Sequence, residues 1–545
     1  MSSEVTSVPP TPTPPPVSTP PSQIQSPAAP ASSRASPLRG MGTPNIASPV
    51  RKAVASVSGY LGEVGQMTRL ADPRDAWLPI TESRSGNAYY AAFHSLSSGI
   101  GFQALVLPVA FSLLGWTWAI ICLTVAFAWQ LYTLWLLVKL HEPVAGGTRY
   151  SRYMYLATTV FGEKWGKILA LLPVMYLSAG TCTALIIVGG GSMKLLFNIA
   201  CGEVCLARPL TTVEWYLVFV CVAALLSQLP NLNSIAGVSL VGATAAVAYC
   251  TMIWVVSVAK GRVAGVSYDP VRATDEEDGA IGILNGLGII AFAFRGHNLV
   301  LEIQVKSLSH SFRLHSTTDN DGKDKVTDEC MLAINSQATM PSTLKHPSHV
   351  PMWKGVKAAY VIIALCLYPV AVGGFWAYGD QIPPNGILSA LYKFHSQDVS
   401  RVVLGTATLL VIVNCLTTYQ IYAMPVFDNM ETGYVHKKNR PCPWWMRAGF
   451  RALFGAINLL IAVALPFLSE LAGLLGGISL PVTLAYPCFM WVAIMRPAKG
   501  TAMWYTNWGL GSLGMGLSFV LIVGNLWGLV EKGLHVKFFK PADFQ

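Results

Sequence analysis

Two short stretches carry residue types able to hold a small charged molecule inside a membrane. Ser97-Ser98-Gly99-Ile100-Gly101-Phe102 stands inside one long apolar run, with Pro108 beyond it. Ala291-Phe292-Ala293-Phe294-Arg295-Gly296-His297-Asn298 stands inside another. Glycine destabilises a helix interior, and proline removes a backbone donor and clashes with the preceding turn. Each stretch therefore reads as a point where a helix unwinds. A half-helix whose N-terminus points into a cavity offers N–H groups and a partial positive charge to a carboxylate. The freed carbonyls can accept from an ammonium group. A zwitterionic amino acid meets both needs, whereas a sugar meets neither charge requirement. The residues expected to bind substrate are Ser98, Gly99, Ile100 and Gly101 in the first stretch and Phe294, Arg295, Gly296 and His297 in the second. For either stretch alone, a helix kink or a tight glycine packing contact is the competing reading.

The ionisable residues in these runs are few. An intramembrane arginine is costly and normally pairs or serves function. Arg295 could grip a substrate carboxylate bidentately, favouring acidic or neutral substrates over lysine, or pair with a carboxylate such as Glu302 or Glu470. His297 and Glu302 are the proton-coupling candidates, because a histidine titrates near neutral pH. A packed, hydrogen-bonded imidazole and a snorkelling surface carboxylate are the alternatives. His94 reads as a helix-packing histidine. Cys201 and Cys205 fall in a loop placed outside, where oxidation is possible, and the other cysteines read as small packing residues. No metal site and no cofactor are expected. His-Glu-x-x-His, histidine boxes and a phosphate-binding glycine loop are all missing from the sequence, which argues against a membrane enzyme.

The elements that must position these residues are membrane helices. Of 545 residues 53% are hydrophobic and only 12% charged, and the mean hydropathy is +0.48. Soluble domains carry about 25% charged residues. The apolar runs reach about 20 residues, enough to cross a hydrocarbon core of roughly 30 Å. They are expected near 90–112, 115–138, 167–192, 212–229, 234–258, 281–303, 357–378, 402–425, 450–468, 471–495 and 508–530. The fold class is thus an all-α integral membrane protein of about eleven transmembrane helices. Its first and sixth helices are the broken ones, at equivalent places in two five-helix halves. Interrupted segments at matching positions mark the binding site of an inverted-repeat transporter.

Residues 1–50 are rich in Pro, Ser and Thr and read as a disordered cytoplasmic tail, with no apolar segment of signal-peptide type. Its Ser26, Ser36, Thr43 and Ser48 each precede proline and are either kinase sites or part of a plain solvated tail. Residues 51–88 form a cytoplasmic pre-helix segment. The first five-helix repeat spans 89–258, an extracellular loop 259–280 and the second repeat 281–495. An eleventh helix and a C-terminal tail fill 496–545. The loop near Lys260 ends in the acidic run Asp275-Glu276-Glu277-Asp278. Lys and Arg are commoner in the even-numbered loops, as at Arg149, Arg152, Lys164 and Lys167 or Lys437, Lys438, Arg440 and Arg447. That bias favours a cytoplasmic N-terminus. It also accounts for the +10 net charge, through contact with anionic lipid rather than nucleic acid.

The same stretches resemble a known family. Trp77-Leu78-Pro79-Ile80-Thr81, Ala92-Phe93-His94, Leu107-Pro108 and Leu114-Gly115-Trp116 are similar to the opening of lysine/histidine transporters in the plant amino acid/auxin permease family. Gly296-His297-Asn298-Leu299-Val300-Leu301-Glu302-Ile303-Gln304 resembles that family's sixth-helix signature, continued by Met340-Pro341-Ser342. Gln228-Leu229-Pro230-Asn231 and the region from Ser479 to Pro487 are also similar. The Pro-rich tail points to the lysine/histidine transporter-like branch. The resemblance implies a five-plus-five inverted repeat with one extra helix, at the plasma membrane. It further implies proton-coupled amino acid import, with an amino acid, a proton and the lipid bilayer as partners. Arg295 and the stretch Gly101-Phe102-Gln103-Ala104-Leu105 depart from the family pattern, the bulk of Phe102 and Gln103 reshaping the pocket, so the analogy with lysine and histidine carriers does not fix the substrate. A non-transporting amino acid sensor of the same fold is the alternative.

Residues 305–337 split a stretch that runs straight on in the family. Val305 takes a codon beginning GT and Gln337 can take CAG, the letters at the two ends of an intron. A retained intron predicts that most mature transcripts lack these codons. A cytoplasmic regulatory loop predicts that nearly all include them, and transcript sequencing separates the two.

Overall fold

The computed structural model describes residues 88–141, 143, 150, 153–201, 210–228, 235–270, 276–294, 349–438 and 442–533. All lie within one compact unit, Thr68–Gln545. Among them every regular element is helical. In chain order these are α1 (Ala88–Gly99), α2 (Gln103–Leu140), α3 (Tyr153–Phe161), α4 (Glu163–Cys201), α5 (Thr212–Gln228), α6 (Ile235–Lys260) and α7 (Glu276–Ala293). Then come α8 (His349–Tyr378), α9 (Ile387–His395), α10 (Arg401–Lys438), α11 (Trp444–Ala464), α12 (Leu468–Leu480), α13 (Tyr486–Met495) and α14 (Ala502–Gly533). A π-helical turn, Pro481–Ala485, joins α12 to α13. Among the described residues eight helical segments are long and apolar enough to cross a membrane, and two shorter apolar helices accompany them. Large apolar side chains such as Leu225, Leu365, Leu460 and Phe519 stand exposed on their outer faces. The chain is a multi-pass membrane protein.

Three details differ from the sequence reading. The helix α7 already starts at Glu276, inside the run expected to end a loop. The short helix α9 stands between the expected spans 357–378 and 402–425; its buried Ile387, Leu388 and Leu391 hold it against the core. The helices α4 and α10 run 39 and 38 residues, well beyond the apolar runs that announce them.

The helix α2 is two helical halves that meet at Gly115, whose φ of 73° and ψ of 171° are not helical. A Cβ there would lie 3.1 Å from Pro270, and its positive φ favours glycine. Aromatic rings fasten this turn. Trp116 packs on Phe375 at 4.8 Å and on Tyr268 at 5.8 Å, and Phe111 packs on Phe375 at 6.0 Å.

Packing sorts the helices into neighbourhoods. The helices α4, α5, α10 and α11 pack on one another, and α1, α2, α7 and α8 form a second group. The helix α6 touches α1, α8 and α10, and α12 touches both α4 and α7. A charge network ties the first group. Arg447 Nε lies 3.2 Å from Glu431 Oε2 and Arg451 3.7 Å from Glu431 Oε1, and Arg451 also donates to the Ser227 carbonyl at the end of α5. Glycines set the α7–α12 contact. A Cβ at Gly288 would overlap the Gly473 carbonyl, and one at Gly476 would overlap the Gly288 carbonyl. The two backbones touch because neither side has a side chain in the way.

Gly476→Ala should therefore force α7 and α12 apart at a cost of about 1–3 kcal/mol. Thermal unfolding of the detergent-purified protein should show a midpoint several degrees lower. Gly516→Ala, where a Cβ meets nothing within 4 Å, is the control that keeps the midpoint. Equal midpoints for both variants would contradict the close approach.

Candidate functional site

The helix α1 ends where its glycines stop supporting it. Its last helical bond runs from Ile100 N to Leu96 O at 3.0 Å. The chain then passes through Gly101 and Phe102 before α2 starts with tightened bonds, Ala104 N to Gly101 O at 3.1 Å and Leu105 N to Phe102 O at 2.9 Å. Phe102 occupies the N-cap position and has no side-chain oxygen to cap the helix. Ser97, Ser98, Ile100, Phe102 and Gln103 are all buried, so the break lies among packed helices.

The carbonyls that the break releases have specific partners. Tyr422 Oη, from α10, donates to Ser98 O at 3.1 Å. Gln103 Nε2 reaches back to Gly99 O at 2.6 Å. Tyr249 Oη, from α6, donates to Gly101 O at 2.8 Å. Leaving a buried carbonyl unpaired costs about 1–3 kcal/mol, so each of these side chains supports the unwound backbone. Sequence reasoning offered such freed carbonyls to a substrate ammonium; the structure gives each of these three a side-chain donor. Gly242 lets α6 come close enough, since a Cβ there would lie 2.6 Å from Thr417 Oγ1 and 3.0 Å from Ser97 Oγ.

The second stretch meets the first through aromatic rings. Phe292, in the last turn of α7, packs on Phe102 with centroids 5.5 Å apart. Gln130 Nε2, from the second half of α2, donates to Ala291 O at 2.8 Å and so supports the C-terminal end of α7. Phe294 follows α7 and packs on Phe127 at 5.2 Å and on Tyr360 at 6.5 Å. The structure thus brings Phe102, which follows Ser98-Gly99-Ile100-Gly101, against the end of α7. Arg295, Gly296, His297 and Glu302 lie outside the described residues, as does the segment 305–337. Glu470 opens α12 and accepts from Ser469 Oγ at 2.6 Å. Cys201 is disulfide-bonded, while Cys205 lies outside the described residues.

Sequence reasoning missed Tyr249, Tyr422 and Gln130. Their one signal was a polar group in the middle of an apolar helix, which does not say which carbonyl it serves. Gln103 was noted for its bulk alone. Among the described residues no three His, Cys, Asp or Glu side chains gather in a way that could hold a metal.

Comparison with known proteins gives the family. The model of the transmembrane amino acid transporter protein family matches residues 84–312 and 334–530. The lysine histidine transporter-like 8 protein of Arabidopsis thaliana is 55% identical over 498 residues, covering 91% of this chain and 89% of its own. The lysine histidine transporter-like 7 protein of the same plant is 43% identical, covering 86% and 90%. Among solved structures, the nucleobase-cation-symport-1 family transporter Mhp1 aligns over 83% of this chain and 94% of its own, with a TM-score of 0.46 and 10% identity. The sequence matches, on a helical membrane scaffold, settle the kind of protein: the chain belongs to the transmembrane amino acid transporter family, in its lysine/histidine transporter-like group.

Proposed function

We propose that this amino acid transporter is a proton-coupled importer that works by alternating access, and that its substrate sits where α1 gives way to α2. The observation that carries this reading is the buried break at Gly99–Phe102, from which α2 starts without a side-chain cap. A substrate carboxylate placed there meets the positive end of α2. Ser98, Gly99, Ile100 and Gly101 form one wall of the site, and Phe294, Arg295, Gly296 and His297 form the other. His297 and Glu302 carry the coupling proton. The protein spans the plasma membrane with about eleven helices in a five-plus-five inverted repeat, its N-terminus cytoplasmic. Rocking of α1, α2, α7 and α8 against α4, α5, α10 and α11 opens each side in turn. That division follows the packing neighbourhoods, with α6 at their junction. The unmatched residues 313–333, which fall inside 305–337, support reading that segment as an addition to the transport core.

The direct test is uptake of a radiolabelled amino acid panel by cells expressing the chain with and without residues 305–337, at acidic and neutral external pH. Proton-coupled import predicts uptake that rises at acidic pH and collapses with a protonophore. Uptake indifferent to both removes the proton from the mechanism. Silence from both forms at normal surface level supports a sensor. Within the same assay, Arg295→Ala should shift substrate preference, and unchanged selectivity would remove its role in reading a carboxylate. Tyr249→Phe withdraws the donor to the Gly101 carbonyl and should cut maximal uptake by about fivefold or more at unchanged surface level. Tyr176→Phe, at an exposed position of α4, should leave uptake unchanged.

A further inference from the structure

The carbonyls of Ser98, Gly99 and Gly101 each already accept a side-chain hydrogen bond, so a substrate ammonium at the break is best served by an acceptor that has no donor yet. One acceptor is in place. Gln103 is the first residue of α2 and its side chain is completely buried. Its Nε2 is fixed by the 2.6 Å bond to Gly99 O, and that bond sets which way the amide faces, because the flipped amide would set oxygen against oxygen. The Oε1 is therefore oriented, and it has no hydrogen-bond partner. A buried acceptor left unpaired is destabilising, and native structures keep few of them. The Ser95 and Ser97 hydroxyls nearby are also unpartnered, but Ser97 Oγ faces Gly242 on α6 rather than the start of α2.

We propose that Gln103 is a substrate-binding residue whose Oε1 accepts an N–H of the bound amino acid's ammonium group. This rests on the reading that substrate sits at the α1–α2 break. The carboxylate then lies at the N-terminal end of α2 and the ammonium at the side chain of that helix's first residue, so a single turn of chain recognises both charged groups of an α-amino acid. The hydrogen bond to Gly99 has the separate task of holding the amide, so Gln103 both supports the break and reads the ligand.

Two substitutions separate those tasks. Gln103→Met keeps the length and removes both donor and acceptor. Gln103→Glu removes the donor to Gly99 but keeps an acceptor oxygen. The readout is the ratio of binding constants, on purified protein in nanodiscs, for a transported amino acid and its desamino analogue, which has the same carboxylate and side chain. Binding reports even from a variant that no longer transports. The preference for the amino acid is expected to fall about tenfold or more in Gln103→Met, as one charge-assisted hydrogen bond requires, and to persist in Gln103→Glu. Gln103→Asn withdraws the oxygen by one methylene and should show the same fall if the Met variant does not fold. An unchanged ratio in Gln103→Met or Gln103→Asn, or an equal fall in Gln103→Met and Gln103→Glu, overturns the inference while leaving the site at the break intact. A wild-type protein that binds no amino acid overturns both.

Discussion

Backbone polar groups have nowhere to go in hydrocarbon. Each unpaired N–H or C=O there costs several kcal/mol, so a helix can open only where other groups replace its lost hydrogen bonds. The break between α1 and α2 obeys this rule with three side chains from three helices: Tyr422 from α10, Tyr249 from α6 and Gln103 from α2 itself. The C-terminal end of α7 obeys it with Gln130. These donors explain why an apolar membrane core carries buried tyrosines and glutamines at all.

The same rule links the site to the packing around it. A tyrosine can cap a carbonyl only if its helix comes close, and Gly242 is what brings α6 against α1 and α10. Glycines do similar work at the α7–α12 contact, where Gly288 meets Gly473 and Gly476 backbone to backbone. Dispersion and close approach, rather than hydrophobic expulsion from water, drive association of membrane helices, so such contacts are where small residues matter most. The broken segment is thus held by groups on two neighbourhoods of helices. Tyr422 belongs to the α4–α5–α10–α11 group and Gln103 to the α1–α2–α7–α8 group. In the proposed alternating-access cycle, relative movement of the two groups would change which side chains support the break's carbonyls.

Much of this was legible in the chain. The apolar runs announced the membrane helices. Gly99, Gly101 and Pro108 announced the first break, because each weakens the helical hydrogen-bond ladder inside a run otherwise built to be helical. The turn at Gly115 fell at the boundary between two expected spans, and the backbone there is left-handed as glycine permits. What the chain did not reveal depends on distant partners. Tyr249 and Gly101 are 148 positions apart, and Tyr422 and Ser98 are 324 apart, so no local pattern joins them. The helix α9 was hidden behind a Pro-Pro-Asn-Gly turn whose composition masks the nine-residue helix that follows. The start of α7 at Glu276 was read as loop because a charged run does not by itself distinguish a loop from the start of a helix.

The central claim is that the supported break between α1 and α2, facing the end of α7, is where an amino acid binds. A structure of the lipid-embedded protein with a transported amino acid bound tests it most directly. The account predicts ligand density between Gly99–Gln103 and Phe292–Phe294, its carboxylate toward the start of α2. Well-defined ligand density elsewhere in the helical bundle, with this break closed and unchanged, would contradict it.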